Sequence, residues 1–295
     1  MNIESIATKF DQHGYVLLPQ VISKAELAGL QADTAHMIDT GYEGQEPASD
    51  YFYDPLPDTG EIVFHRVQYI FPKAPNNSFV KLLGHPIILE VVQHLLGDDF
   101  ICGAEAFVFK TPGNGKEVPV HCDCDASDPE LAPLIFNVDY YLDDATVENG
   151  CLLAAPGSHK LNLSPAEVAK QGFDFPGLVE VPVQAGDVLI HNTRVVHGSK
   201  RNTGNSLRRT LYYEFQGLNA ALTQGGIRPG SPLNDTWIQE RIRLVMHAID
   251  LRKETSYGQD EEPFAYQPPA GYDIAWPQPD ETVNYRPALG YNKFF

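Results

Sequence analysis

Residues 118–128 read VPVHCDCDASD, which places one His, two Cys and three Asp within eight positions. That is more donor groups than one metal ion takes. The run EVPVHCDCD (117–125) follows the Gly-rich turn TPGNG and has the character of a strand, in which successive side chains point to opposite faces. Alternation then puts His121, Asp123 and Asp125 on one face and Cys122 and Cys124 on the other. His121 and Asp123 stand about 6.6 Å apart at a rise of roughly 3.3 Å per residue, so their side chains can lean onto one ion. Cys-x-Cys is not a zinc spacing, and no second pair accompanies it. The two thiols are expected as packed side chains.

The first set needs a third ligand. His-x-Asp with a distant His is the two-His-one-carboxylate arrangement of non-haem Fe(II) oxygenases, which leaves three octahedral positions for a chelating co-substrate and oxygen. Candidates for the distant His are His159, His191 and His197, and Asp125 stays open as a replacement for Asp123 or as its hydrogen-bonding neighbour. Eleven residues past His197, Arg208 opens another strand-like run. There Arg208, Thr210 and Tyr212 form a polar face, whereas Arg209 shares its face with Leu211, Tyr213 and Phe215. A guanidinium on that polar face can hold the far carboxylate of a dicarboxylate in a two-pronged pair.

These side chains must be carried by a scaffold, and the chain from about 100 to 216 supplies one. Short β-rich runs (FICGAEAFVFK, VPVHCDCD, LIFNVDYYL, CLLAAP, LVEVPV, DVLIHN, RRTLYYEF) separated by turn signals predict a sandwich or jelly roll. A short helix, SPAEVAKQ (164–171), interrupts them. In LIFNVDYYL, Asn137, Asp139 and Tyr141 share one face. A jelly roll built around a metal needs a polar interior, so Asn137 is a candidate cofactor contact and Asp139 and Tyr141 are candidate substrate contacts. Gln68, in HRVQYIFP, is a further candidate for co-substrate or substrate. His159, in PGSHK, is expected to support a turn.

The flanks read as helical. SKAE (23–26) is a capping box opening a helix, preceded by the strand GYVLLP (14–19). Residues 41–60, broken by Pro and Gly, predict a long loop suited to a lid. A helical pair follows near 76–96, and Ile238, Ile242, Val245 and Ile249 form a stripe on a late helix. Residues 263–295 carry six prolines and eight aromatics and are expected to pack on the domain or against a second copy, as a homodimer. The prediction is one domain, mainly β with flanking helices: additions and lid loop over 1–98, a core over 99–216, and a helix with an aromatic, Pro-rich segment over 217–295.

Composition narrows the partners. A net charge of −18 repels nucleic acid and anionic lipid. No apolar run is long enough for a membrane span, the N-terminus carries no leader pattern, and the cysteine usage suits a reduced cytoplasm. The modest basic cluster Arg194, Lys200 and Arg201 favours a small metabolite over a polyanionic ester.

HCD (121–123), ENGCLLAAPGSHK (148–160), GDVLIHNTRVVHGS (186–199) and an Arg eleven residues past the second His resemble the phytanoyl-CoA dioxygenase family, as does FDQHGYVLLPQVISKAEL (10–27). The resemblance covers roughly residues 5–216. It implies a double-stranded β-helix, cupin-like core and an Fe(II)- and 2-oxoglutarate-dependent dioxygenase using O2. It implies His121, Asp123 and His197 as metal ligands, and Arg208 with Ser199 at the 2-oxoglutarate carboxylate. Family relatives that halogenate have a small residue at the aspartate position, so the carboxylate here implies hydroxylation of a C–H bond, with release of succinate and CO2. The competing class is a jelly-roll metalloprotein with zinc or manganese, hydrolase or isomerase, or a non-catalytic sensor on the same fold.

Overall fold

The computed structural model describes residues 2–44, 50–123, 134–218, 235–272, 274–277 and 283–285. Strand β4 (Phe100–Lys110) sets the architecture. Ile101, Phe107 and Phe109 are buried in the core, while Ala104, Ala106 and Val108 alternate with them on the other face. Its neighbour β11 (Arg208–Gly217) pairs with it along its whole length, with a register shift between Glu214 and Phe215. On the far side of β11 lies β6 (Ile135–Tyr141), then β9 (Val188–Asn192) and β1 (Tyr15–Leu18). On the far side of β4 lie β3 (Ile62–Gln68) and β2 (Tyr51–Pro55). All these pairings are antiparallel.

The second sheet is smaller. Its order is β5 (Val118–His121), β10 (His197–Ser199), β7 (Leu152–Ala154), β8 (Val179–Val181). Helix α5 (Pro165–Gln171) packs beside β5, and Ser164 and Glu167 close a full capping box at its start. The two antiparallel sheets with flanking helices are the expected cupin-like core.

Helices cover the other face of the large sheet. These are α1 (Ile3–His13), α2 (Lys24–Glu43), α3 (Ser78–Leu83), α4 (Pro86–Leu96) and α6 (Asp235–Lys253). The stripe Ile238, Ile242, Val245 and Ile249 on α6 is buried, and α6 packs on α3 and β4. The aromatic C-terminal segment packs on its own domain where it is described: Phe264 and Tyr266 are buried, and the Tyr266 hydroxyl donates to the Phe100 carbonyl.

Two expectations change. Residues 41–60 are not one loop: Gly41 and Glu43 end α2, and β2 hydrogen-bonds to β3. The aromatics Tyr51 and Tyr53 bring this about by packing on Phe64, with ring centroids 5.7 and 4.8 Å away. Gly41 permits it, because a Cβ there would lie 2.3 Å from the Phe64 ring. Pro55 is tolerated because it ends an edge strand, where its missing N–H breaks no inner ladder. The region before residue 99 therefore gives three strands to the large sheet as well as helices.

The SKAE box is also only half made. Ser23 Oγ accepts from the Glu26 backbone N–H, but the Glu26 carboxylate is buried against Arg252 at 2.6 and 3.0 Å. Arg252 also pairs with Glu261, at 2.6 Å, and so ties α2 to the end of α6. Arg252→Ala leaves Glu26 buried without its counter-charge, and is expected to lower unfolding free energy by about 3 kcal/mol in a urea titration. An unchanged midpoint would show that the network contributes no stability.

Candidate active site

The centre is built from the smaller sheet. On β5 and β10, His121 and His197 are direct cross-strand partners, with ring centroids 4.3 Å apart. Gly198 lets the strands meet here, since a Cβ would lie 3.0 Å from the Val118 carbonyl oxygen. Each imidazole turns Nδ1 to the carbonyl two residues before it, Pro119 at 2.7 Å and Val195 at 2.9 Å. A nitrogen that close to a carbonyl oxygen donates to it, so Nε2 of both rings is the atom turned toward the centre. Asp123 lies just past the end of β5, its N–H donating to the Thr193 carbonyl at 2.8 Å. Its Oδ1 is 3.2 Å from His121 Nε2 and its Oδ2 3.8 Å from His197 Nε2. One ligand atom from each residue lies within 4.8 Å of the others, and no other such group occurs among the described residues.

Electrostatics favour the same arrangement. Burial alone would raise the Asp123 carboxyl, but His197, His121 and His191 outweigh it and hold the group well below the usual carboxylate range. Burial, with His121 alongside, pushes the His197 imidazole down to about 3. Two imidazoles and one carboxylate suit Fe(II) with open positions. Cys122 points away, its Sγ 3.4 Å from the Arg194 carbonyl, while Cys124 and Asp125 lie outside the described residues.

His191 is not one of the three, and both its nitrogens are engaged by side chains. Nδ1 lies 2.9 Å from Asp139 and Nε2 faces Asp123 and Asn137, each at 3.4 Å. Asn137 Nδ2 donates to Asp123 Oδ2 at 3.0 Å and so steadies the carboxylate from the facing sheet. His159 supports a turn, with Nε2 3.0 Å from the Asp11 carbonyl.

A cavity of about 180 Å3 runs from this triad across the face of the large sheet. Arg208, Ser199, Asn137 and Gln68 all line it. The Arg208 guanidinium is buried: it donates to the Gly150 carbonyl at 2.8 Å, to Thr210 at 3.1 Å and to Tyr212 at 3.3 Å. No carboxylate pairs with it among the described residues, and its Nε has no hydrogen-bond partner. Gln68 is buried with its Oε1 unbonded.

Asp139 and Tyr141, expected at the substrate, do not line the cavity. Asp139 is held behind it by His191, and the Tyr141 ring packs 5.7 Å from the Arg208 guanidinium. They lie on the inward face, but neighbouring side chains cover them. Arg194 also departs from expectation: it is buried and donates to the His159 and Leu161 carbonyls, so it forms no surface cluster with Lys200 and Arg201.

Among the lining residues that sequence reasoning missed are Arg66 and Glu214. Both were within reach of the alternation rule, two residues from Gln68 and from Tyr212 respectively. Arg66 is partly buried, with its guanidinium 5.6 Å from the Phe52 ring centroid. Burial and the Asp123 charge push the Glu214 carboxyl up to about 8. At the mouth, Asp54 bridges His65 Nε2 at 2.8 Å and Lys116 Nζ at 2.6 Å.

Comparison with known proteins gives a consistent set. The family model described as Phytanoyl-CoA dioxygenase (PhyH) matches residues 10–210. Phytanoyl-CoA dioxygenase domain-containing protein 1 of Bos taurus is 31% identical, over 80% of this chain and 94% of its own length. Methylphosphonate hydroxylase of Gimesia maris is 26% identical, over 76% of this chain and 83% of its own. Among solved structures, AviO1 from Streptomyces viridochromogenes Tue57 superposes with a TM-score of 0.62 at 30% identity, covering 73% of this chain and 95% of that one.

Proposed function

The chain belongs to the phytanoyl-CoA dioxygenase family, and from that premise we propose that it hydroxylates a C–H bond of a small metabolite or natural-product intermediate, using Fe(II), 2-oxoglutarate and O2. The observation that carries this reading is Arg208, a buried cation with no carboxylate partner among the described residues, in the same cavity as the triad. A site for metal-dependent hydrolysis has no need of it. The name of the Gimesia maris relative, a hydroxylase of methylphosphonate, supports a small substrate. The carboxylate at Asp123 supports hydroxylation, since it fills the position a halide would need.

In this reading His121, Asp123 and His197 hold iron, and Arg208 with Ser199 takes the far carboxylate of 2-oxoglutarate. Bound iron and co-substrate supply the activation of oxygen, with succinate and CO2 as co-products. The protein supplies orientation. Asn137 fixes one carboxylate oxygen of Asp123, and the Pro119 and Val195 carbonyls fix the two rings. Arg208, itself held by Gly150, Thr210 and Tyr212, presents a prepositioned fork to the dicarboxylate. Ala104, Ala106 and Val108 leave the space above β4 open for substrate.

Adding 2-oxoglutarate to the Fe(II)-loaded protein without oxygen is expected to produce the weak visible charge-transfer band of the chelate. Absence of the band, with iron shown to be bound, would sink the proposal.

A further inference from the structure

The cavity wall opposite Arg208 carries an unexplained acid. Glu214 shares the inward face of β11 with Arg208, Thr210 and Tyr212, six residues and roughly 20 Å along the strand from Arg208. Its cross-strand partners are Asn137 on β6 and Ala104 on β4, so it stands next to the residue that steadies Asp123. Glu214 is 5% exposed and lines the cavity, and its buried Oε1 has no hydrogen-bond partner. Gly103 makes room for it: a Cβ there would lie 2.9 Å from Glu214 Oε1 and 2.3 Å from Gln216 Nε2.

Gln68 faces it from the other side. It is opposite Ala106 in the β3–β4 register and is 4% exposed, and its amide oxygen is also unbonded. Two strand spacings and one row separate the Cα atoms of Gln68 and Glu214, about 12 Å, with only the small side chains of Ala104 and Ala106 between. Two buried acceptors thus flank an open floor beside the triad. Leaving such groups without partners is costly, and a ligand that donates to them removes the cost.

We infer that Glu214 and Gln68 are the substrate-recognition pair, and that the substrate presents hydroxyl or protonated amine groups to them at the end of the cavity away from Arg208. This inference rests on the proposed Fe(II) and 2-oxoglutarate chemistry and deepens it by naming the substrate's polar handles. A chain that only needed to close the pocket there would carry an apolar side chain. The pairing selects against hydrocarbon or fully acylated substrates, which would leave both acceptors desolvated and unmet.

The test uses the full chain loaded anaerobically with Fe(II) and 2-oxoglutarate, so that the chelate band is seen before any probe is added. Without that band the preceding proposal fails, independently of Glu214. The probes are glycerol, myo-inositol, ethanolamine and putrescine, each set against its fully O-methylated or N-acetylated counterpart. At least one donor-bearing probe is expected to perturb the band and raise Tm, while its blocked counterpart does neither. Glu214→Leu is expected to weaken that probe at least about tenfold while the chelate band still forms. Gly103→Ala, which keeps the acid but displaces it, is expected to weaken it in the same direction and serves if Glu214→Leu does not fold. Glu214→Gln separates the two sources: a hydroxyl ligand is retained within about threefold, whereas an ammonium ligand is lost with the charge. Blocked probes that bind as well as their parents, no response to any donor-bearing probe, or undiminished binding in both Glu214→Leu and Gly103→Ala would each overturn the inference.

Discussion

Asp123→Ala is expected to weaken the iron centre severely and to remove the succinate-forming activity with it. The substitution removes the carboxylate of the triad and leaves two imidazoles, which hold Fe(II) far more weakly than the complete set. Partners one layer further out are typically worth about 10–100-fold in affinity or rate, so loss of the ligand itself is expected to lower succinate formation by roughly 1,000-fold or to background. Anaerobic iron titration and a succinate assay on the same preparation check this, with far-ultraviolet circular dichroism as the control for folding. The control matters because Asn137 and His191 lose their shared acceptor as well. Succinate production that survived in a folded variant would show that the ligand set is wrong.

The second large effect is expected at Arg208. Arg208→Ala takes away the cation but leaves the Gly150 carbonyl, Thr210 and Tyr212 in place around an empty slot. Truncating one side of a buried, hydrogen-bonded charge pair costs about 2–5 kcal/mol, which is roughly 30- to several-thousand-fold in the dissociation constant for 2-oxoglutarate. Arg208→Lys keeps the charge and loses the fork, and is expected to fall between. The chelate band reads both as a titration in 2-oxoglutarate, and iron affinity measured separately should stay within a few-fold of wild type. Wild-type affinity for 2-oxoglutarate in Arg208→Ala would remove the argument that carries the proposed function.

Much of this site was legible because alternation is a hard geometric rule. It separated Cys122 from His121 and Asp123, and chose Arg208 over Arg209; Arg209 turns outward from the cavity and pairs with Asp143 at 2.8 Å. Alternation says which face a side chain takes, and it does not say what lies above it. Asp139 and Tyr141 were therefore placed on the correct face and still given the wrong neighbours, because His191 and Arg208 cover them. The strand at 51–55 was hidden for another reason. Pro and Gly mark turns, and here they bound a hairpin whose pairing depends on aromatic contacts with Phe64, 11 to 13 residues further along. Glu26 shows the same limit from the tertiary side: a local cap was overruled by Arg252, 226 residues away.

The two carbonyl tethers on His121 and His197 have a kinetic meaning as well. Both rings are oriented before an ion arrives, and their register partnership sets their separation in advance. Loading therefore needs little ordering of the chain, and its rate falls to encounter and to the shedding of water from the ion. Only Asp123, beyond the last paired residue of its strand, could swing away, and Asn137 restrains it from the opposite sheet. Demetallation should then begin at the carboxylate, with the imidazole pair the last to let go.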